Sequence, residues 1–591
     1  MFYVNPFLIS YLWNLFMIIY KYSGIWSTGF PKNAIEEIFD LYEVAAEITG
    51  KMYSSLLSLI WDAGEIIVFR KKLEKAKTWK EWRNIAEKID YIEGKEAWKK
   101  REQSPLYDYR LLRRRLMLIR SLREKNDIQA LVHHLRSGLY RGLGGSLNPQ
   151  LYQKCLVDTK YLVMEYQAEV CNSLKFILNS PQFPLKSKLT FFSDSRYAFG
   201  KTALLMSGGG GLGMYHLGVV KTLYEQDLLP KVIAGTSAGS LVAAFIGTTK
   251  WEQIPEWFKR DKIKYGPFSG LLKGSWKRKI ARLWKDKHMM DIKTLEVFLR
   301  GNIGDLTFEE AYEMTGIVLN ITVCEWNNHS DYRLLNYLTA PHVLVWSAAL
   351  ASCAIPYIFE AVELKCKDHK GNIVPFRSSG MKFIDGSIKA DLPMLRLAEL
   401  FNVNAFIVSQ TNPWIIPLLT ADDGGGSWGD SFNFKVYRLL KKLIVMEFRH
   451  RVKQISLVGL LDFLTSFLGI FTQEYRGHVT IWPVPSIKDY LNILSNPTDD
   501  DIQRSIRKSE IRTFPKINML QSIMAIEKTF DSCYQQIRAK LRFKDLRFTV
   551  ALHGQAEDFT IRESPLIPGT SLMPDSRYYF EHHLNLYEDI N

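Results

Sequence analysis

The stretch PKVIAGTSAGSLVAAFIG, residues 230–247, limits the possible folds of this chain more than any other. Val232 to Ala234 read as a buried strand and Leu241 to Ile246 as the body of a helix, so Gly235-Thr236-Ser237-Ala238-Gly239 is the turn between them. That is G-x-S-x-G between a strand and a helix, and its spacing has a steric cause. A turn this sharp leaves the Ser237 backbone strained and its Oγ projecting from the sheet. Gly235 and Gly239, two before and two after, must lack side chains or the chain ends would clash. The helix that starts here also points free N–H groups, and the positive end of its dipole, at any developing oxyanion.

A second glycine turn precedes it, in LLMSGGGGLGMYHLG at 204–218. Gly208, Gly210 and Gly213 satisfy the G-x-G-x-x-G spacing of a dinucleotide-binding loop, but that reading wants an acidic residue after the next strand. The next strand ends instead in the serine elbow. The loop therefore reads as the other half of an acyl-transfer site. Gly208, Gly209, Gly210, Gly211 and Gly213 are its expected oxyanion hole, since no Cβ blocks the approach of a carbonyl to their amides. A purely structural turn is the alternative.

A serine nucleophile needs a base. None of the histidines after Ser237 sits at a glycine-flanked strand end, and His216 reads as a packed helix residue. In MKFIDGSIKADLP, Asp385 follows the apolar pair Phe383-Ile384 and precedes Gly386, as a carboxylate delivered by a strand end would. A plain D-G turn reads equally well from this stretch alone. A carboxylate base would need partial desolvation and a short hydrogen bond to the serine.

Around these motifs, short β-rich runs (TALLM, KVIA, GIVLNITV, KFI, NAFIVS) alternate with helical stretches between about 200 and 415. This predicts an α/β layer domain, with a mostly parallel sheet between helices. Residues 35–190 read as a helical N-terminal domain. In it, Leu112, Leu116, Ile119 and Leu122 form one apolar stripe with six arginines around the rest. Residues 416–545 read as helical C-terminal additions and 546–591 as an extended tail. Residues 1–34 open with twenty uncharged positions, long enough to cross a bilayer and without the basic start or cleavage site of a signal peptide; they read as a membrane-associated segment or a docked helix. The apolar run 455–471 reads as core or interfacial.

The net charge of +15 implies an acidic partner surface, nucleic acid or anionic lipid. With 13% aromatic residues, lipid is favoured over nucleic acid. The six scattered cysteines show no metal-binding spacing and read as reduced thiols.

Together, Gly208–Gly213, Gly235-Thr236-Ser237-Ala238-Gly239 and Asp385-Gly386-Ser387 resemble the patatin-like phospholipases. More narrowly, TWKEWRNIAEKIDYIEGKEAWKK, the LLRRRLMLIRSLREK segment and LASCAIPYIF resemble the fungal and plant triacylglycerol lipases of lipid droplets. The resemblance implies the patatin three-layer fold and a Ser–Asp dyad, with Ser237 as nucleophile and Asp385 as base and no metal or other cofactor. It implies a lipid ester hydrolase acting on acylglycerol at a lipid droplet or endoplasmic reticulum membrane, facing the cytosol. Phospholipid substrates, an acyltransferase with the same dyad, and an idle droplet-binding protein are the alternatives. One position departs from patatin, which has an arginine in the glycine loop where this chain has Leu212. That leaves the hole with backbone donors only.

Overall fold

The computed structural model describes residues 64–259, 292–326, 332–416, 419, 475–493 and 497–553, with single positions between 440 and 454, and leaves out 357, 377–379 and 389. The apolar runs 1–20 and 455–471 and the tail from 554 lie outside the described residues. Among the described residues no helix is long and apolar enough to cross a membrane. From Ala76 on, the described residues of the helical region and of the α/β layers belong to one compact unit.

Among the described residues the ten strands are β1 (Lys201–Met206), β2 (Val232–Gly235), β3 (Val318–Glu325), β4 (Tyr332–Leu335), β5 (Val362–Glu363), β6 (Lys365–Lys367), β7 (Ile373–Pro375), β8 (Lys382–Asp385), β9 (Val403–Ser409) and β10 (Val479–Ile481). Eight make one sheet in the order β10-β9-β1-β2-β3-β8-β5, with β4 also paired to β3; β6 and β7 form a separate hairpin. From β10 to β3 every pairing is parallel, and β8 and β4 run antiparallel to β3. All five β-rich runs of the sequence are strands. Strands β1 and β2 are near-continuous apolar runs buried on both faces, as a parallel sheet covered by helices requires. The sheet also draws β10 from well beyond residue 415.

Helix Tyr109–Glu124 starts at Asp108, whose side chain accepts from Leu111 N–H, and it buries Leu112, Leu116 and Ile119 as its periodicity predicts. Leu122 stays partly exposed. The long helix Ile517–His553 ties the helical region to the sheet. Its Glu527 pairs with Arg141 at 2.9 Å and accepts from Thr202 N–H, at the start of β1, also at 2.9 Å. Arg141 further donates to the carbonyls of Ile523 (2.7 Å) and Gly200 (3.1 Å), which satisfies most of a guanidinium that burial would otherwise penalise.

Candidate active site

Because β1, β2, β3 and β9 are parallel, the segments that follow them converge on one sheet edge. Ser207 begins the glycine loop there, Ser237 follows β2, and Gln410 follows β9. Ser237 has φ 52° and ψ −126°, a conformation disfavoured for a residue with a Cβ. Its N–H donates to Ser352 Oγ (2.9 Å), and Ser352 donates in turn to the Thr322 carbonyl on β3 (2.8 Å). The helix Ala238–Gly247 starts immediately after it.

The two elbow glycines are explained by contact. A Cβ on Gly235 would lie 2.3 Å from the Gly239 carbonyl oxygen, and one on Gly239 would lie 2.2 Å from that of Met206. Any side chain at either position would force β1, β2 and the helix apart.

Strand β3 brings Asp385 to the same level as the serine. Gly235 is in register with Ile321 and Asp385 with Val323, two residues further along the same strand. Strand β8 is antiparallel, so it enters from beyond the edge and carries its last residue inward. Asp385 is fully buried, and its Oδ1 accepts from Ser387 N–H at 2.8 Å. The Ser237 hydroxyl faces the carboxylate and favours its ionised form. The Asp385 Oδ2 makes no hydrogen bond of normal geometry among the described residues. Burial is the larger effect and pushes the Asp385 carboxyl up to about 6, the range a base needs to work near neutral pH.

The glycine loop lies against this pair. A Cβ on Gly208 would sit 3.1 Å from Ser237 Cβ. Gly210 has φ 55°, which glycine adopts without strain. Two of the five expected oxyanion donors are committed elsewhere. Gly208 N–H donates to Asp391 Oδ1 (2.8 Å) and Gly211 N–H to the Ile493 carbonyl (2.7 Å). Among the described residues, no acceptor faces the amides of Gly209 and Gly210. Gly213 packs where a Cβ would lie 2.6 Å from that of Ala238, fixing the loop on the start of the helix Ala238–Gly247. Leu212, in the position of patatin's arginine, is buried with Tyr215, Ile415, Ile416, Tyr475 and Trp482. It anchors the loop and contributes no charge.

Two residues behind the loop complete the site. His216 is fully buried; its Nε2 donates to the Ser207 carbonyl (2.9 Å), so Nδ1 accepts from Ser409 Oγ (2.6 Å). Burial pushes it down to about 4, so it is a neutral packing residue and no base. Asp391, buried beside the loop, was not singled out by sequence, although it stands in the same MKFIDGSIKADLP stretch that carries the expected base. An acid between Ala390 and the apolar Leu392-Pro393 was the available signal.

The family model described as patatin-like phospholipase matches residues 204–398, and a domain of unknown function matches 59–197. A triacylglycerol lipase of Schizosaccharomyces pombe, ptl3, is 32% identical over 79% of this chain and 97% of its own. The chain belongs to the patatin-like family. Triacylglycerol lipase SDP1L of Arabidopsis thaliana is 37% identical over 80% of this chain and 59% of its own, and triacylglycerol lipase 4 of Saccharomyces cerevisiae 35% identical over 79% and 53%. The chain thus spans little more than half the length of these two. The patatin-like block contains Ser237, Asp385, Asp391 and the whole glycine loop, while β9 and β10 lie outside it.

Proposed function

We propose that this chain is a serine acyl-ester hydrolase of acylglycerols. The observation that carries the reading is a strained Ser237 facing a buried Asp385, with two unengaged loop amides alongside. Asp385 takes the Ser237 proton as Oγ attacks the ester carbonyl. The tetrahedral oxyanion accepts hydrogen bonds from Gly209 and Gly210 N–H, donors already oriented before the reaction. Asp385 then gives its proton to the departing alcohol, leaving an acyl-serine. In the second half it takes a proton from water, the hydroxide attacks the acyl carbon, and fatty acid leaves as Ser237 recovers its proton.

An insoluble substrate must reach this edge from a lipid surface. Exposed Trp326, Trp414 and Ile487 follow β3, β9 and β10 on the same edge as Ser237, and rings of this kind suit a headgroup boundary. With the apolar run 1–20 and the net positive charge, this supports action at a lipid droplet or the cytosolic face of the endoplasmic reticulum. The test is fatty-acid release from emulsified triolein and from phosphatidylcholine by wild type and Ser237→Ala. Ser237-dependent release from triolein is expected. Release from phosphatidylcholine alone makes the chain a phospholipase, and equal rates for the variant refute the serine mechanism. A wild type that takes no fluorophosphonate label is an idle binding protein.

A further inference from the structure

The segment LASCAIPYIF, residues 350–359, supplies no group to the chemistry above, yet it meets both members of the pair. It ends the helix Val345–Ser352, whose last residue is fully buried. Ser352 Oγ accepts from Ser237 N–H at 2.9 Å and donates its own proton to the Thr322 carbonyl at 2.8 Å. Two residues on, the Ala354 carbonyl accepts from Asp385 N–H at 3.0 Å. One turn of chain, Ser352-Cys353-Ala354, therefore bonds the backbone of Ser237 at one end and that of Asp385 at the other.

Thr322 is well placed to orient this turn. On β3, Ile321 is in register with Gly235 and Val323 with Asp385, so Thr322 stands between the elbow and the expected base. A Cβ on Gly386 would lie 2.5 Å from the Thr322 carbonyl oxygen, so the residue after Asp385 packs on the same carbonyl. A hydroxyl has a single proton, and Thr322 takes it, which leaves the Ser352 oxygen as an acceptor for Ser237. The Ser237 backbone needs such a hold. At φ 52° and ψ −126°, a residue with a Cβ stays only where its surroundings fix it. Its carbonyl is fixed from within its own helix, by Ser240 N–H (2.8 Å) and Ser240 Oγ (2.6 Å). Its N–H is fixed from outside the elbow, by Ser352.

We propose that Ser352 is a positioning residue for the acyl transfer, its hydroxyl holding the Ser237 backbone in the strained conformation that presents Oγ to the Asp385 carboxylate. This rests on the reading of Ser237 and Asp385 as the working pair. Ser352 acts on the amide of Ser237 and not on its Oγ, so its loss is felt through the geometry of attack. A displacement of about 1 Å in a reacting group can cost about 100-fold in rate. The loss therefore falls on kcat, with ester bound as before.

Ser347, on the same helix, supplies the control. It is also fully buried, and its Oγ accepts from a main-chain amide at 2.8 Å, that of Lys365 on β6 rather than one in the elbow. Ser352→Ala and Ser347→Ala thus each remove one buried hydroxyl and leave one amide without its acceptor. The assay measures kcat and KM on soluble p-nitrophenyl butyrate, which needs no lipid surface, with fluorophosphonate labelling rates and urea unfolding alongside. Ser352→Ala is expected to lose roughly 10- to 100-fold in kcat and in labelling rate, with KM within about twofold. Ser347→Ala is expected to keep both rates while losing comparable stability. Ser352→Cys, which fills the same space with a weak acceptor, is expected to fall in the same direction as Ser352→Ala. Wild-type kcat in a folded Ser352→Ala or Ser352→Cys overturns the proposal, as does an equal kcat loss in Ser347→Ala or a loss confined to KM. Insolubility of both Ser352 variants beside a soluble Ser347→Ala also overturns it, because the hydroxyl would then serve the fold and not the attack. Absence of any Ser237-dependent hydrolysis in the wild type removes the underlying mechanism as well, whereas Ser237-dependent hydrolysis indifferent to Ser352 removes this inference alone.

Discussion

The base of the proposed dyad should be a liability to the fold, and Asp385→Asn measures it. Asp385 is wholly buried with no cation beside it among the described residues, and its carboxyl rises from 3.8 to about 6 on folding. A group whose pKa is raised in the folded state binds its proton more tightly there, so each step of pH above the unfolded value favours the unfolded chain until the folded value is passed. The shift amounts to about 3 kcal/mol above pH 7, about half of that at pH 5, and nothing well below pH 3.8. Asparagine keeps an acceptor for Ser387 N–H and has no charge to desolvate. Asp385→Asn should therefore abolish hydrolysis while making the protein more stable, by about 3 kcal/mol at pH 8 and roughly half that at pH 5. The assay is urea unfolding of both proteins at the two pH values. A gain equal at both pH values, or a loss at pH 8, would refute the claim that an ionised, buried Asp385 strains the fold.

Three more outcomes follow from contacts in the same region. Ser237→Ala keeps the Cβ at φ 52°, whereas Ser237→Gly releases it, so the glycine variant should be the more stable of two inactive proteins by about 1 kcal/mol in thermal or urea unfolding. Gly239→Ala drives a methyl into the Met206 carbonyl, and a loss of about 3 kcal/mol with loss of fluorophosphonate labelling is expected; wild-type stability would contradict the contact. Arg141→Ala leaves the largely buried Glu527 carboxylate with Thr202 as donor but without its cation, and should lower stability by about 3 kcal/mol, read by the same unfolding titration.

The parts of this site that were legible in the sequence are those where backbone geometry dictates residue type. Gly235 and Gly239 cannot be anything else in a turn that brings carbonyl oxygens within 2.3 Å of a Cβ, so the elbow stands out in the chain. Long apolar runs such as GIVLNITV declare buried parallel strands for a similar reason. Strand β10 has three residues, too few for a period, and exists because β9 offers it an edge. The division of labour within the glycine loop was likewise hidden. Four consecutive glycines look equivalent, and only the positions of Asp391 and Ile493 decide that the Gly208 and Gly211 amides brace the loop while those of Gly209 and Gly210 are left without an acceptor among the described residues. Asp391 was hard to see because its task is set by a residue 183 positions away.

The order of strands bears on how this protein can be cut. Strand β1 carries the glycine loop and is flanked by β2 on one side and β9 on the other, with β10 outside β9. A fragment trimmed to residues 204–398 would begin within β1 and lack both outer strands, leaving a hydrophobic strand with open hydrogen-bonding groups along one side. It would also lose Glu527, which secures the first turn of chain into the sheet. Such a piece should precipitate, and the smallest fragment that folds has to reach at least as far as the helix that begins at Ile517.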